Sequence, residues 1–366
     1  MRRVLTFNHT RHGLASTPVP LHTPAMRNLI TDVPGVYFGQ ADNHAIASGV
    51  SVVLFEHPAI ASISVMGGAP GTRDTALLEP EMTVERIDAI ALSGGSAFGL
   101  DAAGGVMAGL VQKGRGFQVG TIRVPIVPQA IIFDLLNGGD KSFASGQITS
   151  FHPYFDMGLR ATQRAGKDMQ LGSHGAGMGA TLADLKGGLG SASARLSNGF
   201  TIGAVVVVNA VGQVTMGQSR HFWAAPYEQD KEFGGHGLPA SVTPAMLVPL
   251  IKGHVPAEQL VGQNTTIAAI VTDAPLTKAQ CKRLAHAAQD GLGRAIRPAH
   301  SPMDGDTVFG ASTAKAGETP LDPAGLADLC NAAADVLARA TARGVYLARA
   351  LPFGDALTDY RSRFGP

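Results

Sequence analysis

An asparagine–threonine pair before an apolar run has the most specific chemistry in this sequence. Asn264 and Thr265 precede residues 266–273, which have the short, β-branched composition of a buried strand. A hydroxyl at a strand start can attack the preceding carbonyl, move the acyl chain from nitrogen to oxygen, and release a new N-terminal threonine. The freed α-amine, with a pKa of about 8, could then accept the hydroxyl proton. An ordinary turn is the simpler alternative, because Asn-Thr is common in turns.

Two carboxylates stand close together in the segment 301–307. Asp304 and Asp306 are two residues apart, so an extended backbone would place them on the same face. Such a pair is usually a turn or a set of Ca²⁺ ligands, but the full EF-hand pattern is missing. Two close carboxylates can also hold an N-terminal ammonium, or share a proton so that one pKa rises.

Two glycine-rich segments have the composition of ligand-binding loops. Ser93, Gly94, Gly95 and Ser96 follow the apolar run 87–92 without forming the G-x-S-x-G nucleophile elbow. They predict either a strand-to-helix turn or a cradle of backbone N–H groups for an oxyanion or carboxylate. Residues 175–180 match G-x-G-x-x-A, but the residues before them are polar and do not read as a strand. This disfavours a dinucleotide site.

No metal site is predicted. The 12 histidines are scattered, H-E-x-x-H does not occur, and the two cysteines, Cys281 and Cys330, are too few for a CxxC site or a disulfide framework.

Composition narrows the class of protein. The chain has 366 residues, of which 45% are hydrophobic and 16% charged, and its net charge is +1. These values favour a folded protein with a sizeable core over a disordered one. They also argue against partners such as nucleic acid or a membrane surface. Because no apolar signal core follows the N-terminus, we expect a cytoplasmic protein.

The elements that position these residues alternate with turns. Residues 1–27 read as a polar arm, and residues 28–366 as a single catalytic domain. Predicted strands cover residues 49–55, 87–92, 201–209 and 266–273. Helices are predicted over residues 95–110, from Thr277 to Gly293, and after the N-cap Asp322. Residues 134–175 read as a turn-rich surface segment, and residues 220–237 as an excursion that is disordered or covers a site. Strands and helices in runs favour an α+β fold with layered sheets.

The motifs together resemble those of the L-aminopeptidase/D-esterase family, which includes β-peptidyl aminopeptidases and nylon-oligomer hydrolases. The resemblance covers about residues 30–348. Eight blocks occur in the family's order: DVPGV at 32–36, GGAPGTR at 67–73, LSGGSAFGL at 92–100, VPIVP at 124–128, GAG at 175–177, KGGLG at 186–190, VNA at 208–210 and NTTI at 264–267.

The resemblance implies a layered α/β/β/α sandwich like that of N-terminal-nucleophile hydrolases. It also implies autocleavage between Asn264 and Thr265 into an α chain, 1–264, and a β chain, 265–366, with Thr265 as the nucleophile. Asn209 matches the family asparagine that helps to form the oxyanion hole, and the 93–99 turn would line the same pocket.

Two further matches and one departure bear on the branch of the family. Asp304 and Asp306 match the acid pair of the nylon-oligomer hydrolases, where the β-peptidyl branch has a Ser/Glu pair. This pair favours the nylon-hydrolase branch, and Lys186 matches the active-site lysine of the nylon-oligomer hydrolases, although its spacing after the GAG block differs. Phe133 stands where the nylon hydrolases have a tyrosine, so a role for that hydroxyl is absent or moved.

The implied function is an autoproteolytic amide hydrolase acting on small peptides or linear oligoamides, such as 6-aminohexanoate oligomers. The resemblance implies no cofactor, and it implies a homo-oligomer, a tetramer of processed heterodimers. Three alternatives stay open. One is a strict aminopeptidase or β-aminopeptidase. Another is an acyltransferase of the ornithine acetyltransferase type, whose Ala-Thr-Met-Leu context differs from residues 264–267. The third is a non-catalytic ligand-binding protein on the same fold.

Overall fold

The computed structural model describes residues 26–145, 152–252, 264–354 and 356–366. All but the last two residues of the arm predicted for 1–27 therefore lie outside the described residues.

Strands and helices follow one another along the chain in runs, as the sequence predicts. The strands are β1 (Val36–Asn43), β2 (Ser48–Val65), β3 (Thr72–Arg73), β4 (Arg86–Ser93), β5 (Phe117–Val119), β6 (Ile122–Val124), β7 (Gln129–Ile131), β8 (Gly188–Arg195), β9 (Thr201–Val208), β10 (Ile267–Thr272) and β11 (Thr307–Ser312). The α-helices are α1 (Ala102–Gln112), α2 (Tyr154–Gln163), α3 (Pro244–Leu247), α4 (Lys278–Ala295), α5 (Pro323–Tyr346) and α6 (Tyr360–Phe364).

One large mixed sheet organises the molecule. Its strand order is β3-β7-β4-β2-β11-β10-β9-β8, and β1 pairs with β2. Neighbouring strands are antiparallel except for two parallel pairs, β4 with β7 and β10 with β11. β10 and β11 lie side by side in the middle of this order, so the residues that precede them share one edge of the sheet.

Side-chain alternation along the strands divides the core into layers. Val52 of β2 packs with α1 and α2, whereas its neighbour Val53 belongs to an inner cluster. Val206 of β9 packs with α4 and α5, whereas Val207 belongs to the same inner cluster. The sheet thus folds over on itself, and β4 contacts β10 although the two are not neighbours in the sheet. The result is an α/β/β/α sandwich, which confirms the predicted fold class.

Capping residues define the two long helices. Thr277 and Gln280 form a reciprocal capping box, with N···O distances of 3.1 and 2.9 Å, and α4 begins at Lys278. Asp322 accepts from the Gly325 N–H at 2.7 Å, and α5 begins at Pro323. The predicted end of α4 at Gly293 was too early, because this glycine keeps helical geometry and the helix continues to Ala295.

Two other sequence predictions need correction. The helix predicted over 95–110 begins with a 3-10 turn, Ser96–Asp101, because Gly95 and Ser96 have φ angles of +88° and +51°, outside the right-handed helical region. The 134–175 segment contains α2, whose buried Tyr154, Met157 and Ala161 pack against α1 and β2. The segment as a whole contains many charged residues, so its composition predicts a surface loop although one face of α2 is apolar.

Candidate active site

Thr265 lies two residues before β10, between the ends of its two neighbouring strands. Its backbone N–H donates to the carbonyl oxygen of Asn209, which directly follows β9, at 2.9 Å. Thr265 is 2% exposed and Asn264 1% exposed. The junction between these two residues is therefore enclosed by protein in the uncut chain.

The carbonyl of Asn264 has two hydrogen-bond donors. The Thr265 hydroxyl donates to it, and the Gly305 N–H donates to it at 3.1 Å. A Cβ on Gly305 would lie 2.8 Å from Thr265 Oγ1, so the glycine lets the 304–306 loop approach the hydroxyl closely. A hydroxyl beside a carbonyl that a backbone N–H polarises is the arrangement an N-to-O acyl shift requires.

The two acids flank this junction and do not hydrogen-bond to each other. Asp304 Oδ1 accepts from the Val211 N–H at 3.1 Å, and Asp304 Oδ2 has no hydrogen-bond partner among the described residues. Asp306 accepts from the Thr266 N–H at 3.0 Å through Oδ1, and from His300 through Oδ2. The structure thus brings both acids to the nucleophile candidate, one on each side.

Charge and burial act differently on the groups around the acid pair. Burial, together with repulsion from the Asp306 carboxylate, raises the pKa of Asp304 to about 7. Burial opposes protonation of His300, but the hydrogen bond and negative charge of Asp306 outweigh it and raise the pKa of His300. Asp304 is therefore close to its midpoint of ionisation near neutral pH.

The raised pKa of Asp304 predicts a pH-dependent cost to folding. Since the folded chain binds this proton more tightly than the unfolded chain, the carboxyl costs stability progressively as pH rises from about 4 to about 7. We expect Asp304→Asn, in an uncut Thr265→Ala chain, to gain urea-unfolding stability relative to its parent between pH 5 and pH 8.

Asp140→Asn provides the control for this measurement. Hydrogen bonds from Ser142 lower the pKa of this exposed acid, so its effect on stability is confined to acid pH. A difference for Asp304→Asn that stays constant from pH 5 to pH 8 would contradict the prediction.

Asn209 is buried and ties three segments together. Its Oδ1 accepts from the Thr181 N–H at 2.9 Å, and its Nδ2 donates to the Phe133 carbonyl at 3.2 Å. A side-chain amide nitrogen carries two hydrogens, so one donor remains beyond the bond to Phe133. The backbone carbonyl of Asn209 also accepts from the Thr265 N–H, so Asn209 adjoins the nucleophile candidate, and its role as an oxyanion donor stays a prediction.

Lys186 is linked to the site through its neighbours. It is 1% exposed, and its ammonium donates to the carbonyls of Gly177, Ala180 and Gly187 at 3.1, 2.7 and 2.8 Å. Burial lowers its pKa to about 7. These three bonds use all three of its protons and hold the loop before Thr181, which in turn binds Asn209. Its predicted role as an active-site lysine stays untested.

The glycine-rich turn after β4 encloses an internal carboxylate. The Gly95 N–H donates to Asp134 Oδ1 at 2.8 Å, and a Cβ on Gly94 would lie 2.1 Å from Asp134 Oδ2. The N–H of Ser96 is bound by the Ile132 carbonyl at 3.0 Å, and the hydroxyl of Ser93 donates to the Gly99 carbonyl. The predicted cradle therefore holds a side chain of the protein itself.

The five residues predicted to line a pocket differ in exposure. Ser93, Gly94 and Gly95 are buried, whereas Ser96 and Phe133 are partly exposed. The turn binds Asp134, and the carbonyl of the preceding residue, Phe133, accepts from Asn209. The turn is therefore linked to Asn209, which contacts Thr265, and does not itself contact Thr265 by a hydrogen bond.

Sequence reasoning missed three groups near the site. Asp134 is fully buried, and burial raises its pKa. The hydroxyl of Tyr154 donates to Ser48 at 3.0 Å, and Ser48 donates to Asp134 at 2.6 Å, so a tyrosine joins this network although position 133 has none. Lys252 has its ammonium 3.5 Å from Asn209 Oδ1. Only Asp134 had a signal, its position directly after Phe133.

The described residues contain neither a cluster of metal-ligand side chains nor a membrane-spanning helix. Within residues 26–145, 152–252, 264–354 and 356–366, no three His, Cys, Asp or Glu side chains are grouped as metal ligands would be. No helix in the described part of the chain has the length and apolar character needed to cross a membrane.

Comparisons with known proteins place this arrangement in a family. The profile of Peptidase family S58 matches residues 28–357. An uncharacterized aminopeptidase of Mycobacterium tuberculosis is 41% identical over 357 residues, covering 92% of this chain and 98% of that protein. A 6-aminohexanoate-oligomer endohydrolase of Kocuria sp. is 28% identical over 304 residues, covering 81% of this chain and 78% of that protein.

Solved structures show the same fold at low sequence identity. A Burkholderia sp. beta-aminopeptidase superposes with a TM-score of 0.65 at 23% identity, covering 94% of each chain. The L-aminopeptidase D-Ala-esterase/amidase of Ochrobactrum anthropi, described as a variant of the Ntn hydrolase fold, gives 0.65 at 21% identity and covers 92% of each chain. The resemblance predicted from the eight sequence blocks is confirmed. This chain belongs to peptidase family S58 and is a hydrolase acting on amide bonds.

Proposed function

We propose that the chain is an autoproteolytic amide hydrolase that cuts itself between Asn264 and Thr265 and then uses Thr265 as an N-terminal nucleophile. The observation that carries this proposal is the Asn264 carbonyl, which accepts from both the Thr265 hydroxyl and the Gly305 N–H. Membership of peptidase family S58 supports amide hydrolysis in general. The assignment of Thr265 and its neighbours depends on the contacts in this structure.

Self-cleavage would proceed in two steps. Thr265 Oγ gives its proton to a base as it forms a bond to the Asn264 carbonyl carbon, and the Gly305 N–H stabilises the oxyanion that develops. The C–N bond then breaks as the nitrogen takes up a proton, which leaves an ester on Oγ and a free α-amine on Thr265. Water hydrolyses the ester and releases the Asn264 carboxylate, so the hydroxyl returns to Thr265.

Turnover would reuse the same hydroxyl. The α-amine of Thr265 takes the Oγ proton as Oγ attacks a substrate amide, and Asn209 stabilises the oxyanion. The amine leaving group departs with that proton, and water releases the acyl group from Oγ. Asp304 and Asp306 orient the new α-amine, because their loop lies against Thr265 through Gly305.

The substrate class is proposed from the chemistry and from the relatives' names. Small peptides or linear oligoamides such as 6-aminohexanoate oligomers fit a nucleophile that requires only an amide carbonyl. A strict aminopeptidase is the second candidate, favoured by the 41% identity to a protein named as an aminopeptidase. Paired assays on a free and an N-acetylated peptide separate the two, since an aminopeptidase requires the free amine.

The wild-type chain should cut itself into pieces of 264 and 102 residues. On a denaturing gel these should run at roughly 27 and 10 kDa, in proportion to the 37.7 kDa chain, and the smaller should begin with threonine. N-terminal sequencing of the smaller band checks the site. A single full-length band after prolonged incubation would contradict autoprocessing.

A further inference from the structure

Lys252 reaches the site from a segment with no assigned role. Its backbone N–H donates to the Val211 carbonyl at 2.7 Å, which fixes it beside the chain that leaves β9. Its ammonium lies 3.3 Å from the Thr181 carbonyl oxygen and 3.5 Å from Asn209 Oδ1. Both acceptors already belong to the network around the Asn264–Thr265 junction.

Val211 connects this lysine to the acid pair. Its carbonyl binds the backbone of Lys252, while its N–H donates to Asp304 Oδ1 at 3.1 Å. The other oxygen of Asp304 has no hydrogen-bond partner among the described residues. A buried carboxylate with one bare oxygen is costly to ionise unless a cation faces it.

The charges around Lys252 are mixed. Burial lowers its pKa to about 8, and the carboxylates of Asp304 and Asp134 oppose that effect. Lys252 in turn repels the ammonium of Lys186 and favours the charged form of Asp304, which Asp306 disfavours. Near neutral pH most Lys252 side chains are therefore cationic while Asp304 is only partly ionised.

We propose that Lys252 is a positioning residue of the site, whose ammonium anchors the side-chain oxygen of Asn209 and favours the ionised form of the Asp304 carboxyl. With the amide oxygen of Asn209 held by Lys252, its amide nitrogen donates to the Phe133 carbonyl and keeps a second hydrogen that this bond does not use. The inference rests on the proposed function in assigning the site, but its electrostatic part is measurable without activity.

The need for such a cation is greatest in the uncut chain. Before cleavage the Thr265 nitrogen is an amide that donates to Asn209, so it cannot serve as a base. A second group must then accept the hydroxyl proton. The proposal gives this role to the ionised Asp304, because its Oδ2 has no hydrogen-bond partner among the described residues and its loop lies against the hydroxyl through Gly305. Lys252 would set the fraction of chains in that state.

The first test uses the uncut Thr265→Ala chain and requires no turnover. The Asp304 carboxyl is titrated by carbon-13 NMR and assigned by the loss of its signal in Asp304→Asn. We expect Lys252→Met to raise its midpoint by about 0.5–1 pH unit, because removing a nearby opposite charge favours the neutral acid. Lys252→Arg should restore the parent value, since it keeps the charge.

Lys113→Met is the matched control. The Lys113 ammonium also donates to a backbone carbonyl, that of Thr162 at 2.8 Å, but it contacts none of the site residues. It should leave the Asp304 midpoint unchanged. If Lys252→Met fails to fold, Lys252→Gln takes its place in the same titration. Equal Asp304 midpoints in the parent and the folded Lys252 variant would overturn the proposal.

The second test follows the active chain. In Lys252→Met the acid limb of the self-cleavage rate should move to higher pH by a similar amount, and Lys252→Arg should bring it back. A merely structural lysine would lower the yield of folded protein without moving this limb, and that result would overturn the positioning role. Absence of cleavage in the wild type contradicts the proposed function instead, and the NMR titration still decides on Lys252.

Discussion

Thr265→Ala should remain a single 366-residue chain and should hydrolyse no amide. The substitution removes the hydroxyl oxygen that lies against the Asn264 carbonyl, so neither the acyl shift nor the later attack on substrate can begin. Thr265→Ser keeps a hydroxyl and should retain slower cleavage. A denaturing gel and an assay on a short peptide measure both effects.

Thr266→Ala is a closely matched control for this result. Thr266 is the next residue, it is equally buried, and its hydroxyl has no hydrogen-bond partner among the described residues. Losing that hydroxyl should therefore change neither cleavage nor turnover substantially. Normal amide hydrolysis by Thr265→Ala would mean that another residue is the nucleophile.

Asn209→Ala should lower kcat by about 10²–10³-fold if its side chain binds the oxyanion. The backbone carbonyl that holds Thr265 is retained, but the Thr181 N–H and the Phe133 carbonyl each lose their partner. Self-cleavage and turnover should be measured separately, with kcat expressed per cleaved molecule, so that slow processing is not counted as slow catalysis.

Asn137→Ala separates this effect from general loosening of the site. Its Nδ2 donates to the Gly179 carbonyl at 2.6 Å, so it also anchors the loop before Thr181, yet it touches neither Asn209 nor Thr265. It should cost stability with little effect on kcat. A loss below threefold in a stably folded Asn209→Ala would assign Asn209 to structure alone.

Local signals predicted the elements that carry the site. The N-caps Thr277 and Asp322 and the β-branched run before Asp273 each depend on neighbours in sequence. The first residues of α4 and α5 and both ends of β10 were therefore predicted to within one residue. The family blocks added the layered architecture, because they fix an order of elements that composition does not.

Contacts between distant residues could not be predicted in this way. Lys252 contacts Asn209, from which it is separated by 43 positions in the sequence. Asp134 accepts a hydrogen bond from Gly95, which is 39 positions away in the sequence. The segment 220–237 gave no periodic signal, yet Phe222 and Phe233 are buried and pack edge to face against each other. Such contacts depend on tertiary packing and leave no local pattern.

The central location of β10 and β11 has a consequence for refolding of the protein after the proposed cut. Both strands belong to the 265–366 piece, and they pair with β9 on one side and β2 on the other, both from the 1–264 piece. If the chain is cut as proposed, the small piece is inserted between strands of the large one. An uncut chain can refold as a single molecule, whereas refolding of the two denatured pieces requires bimolecular association, whose rate depends on their concentration. Self-cleavage after folding would therefore make unfolding difficult to reverse. Because both pieces come from one chain, they would be produced in a one-to-one ratio.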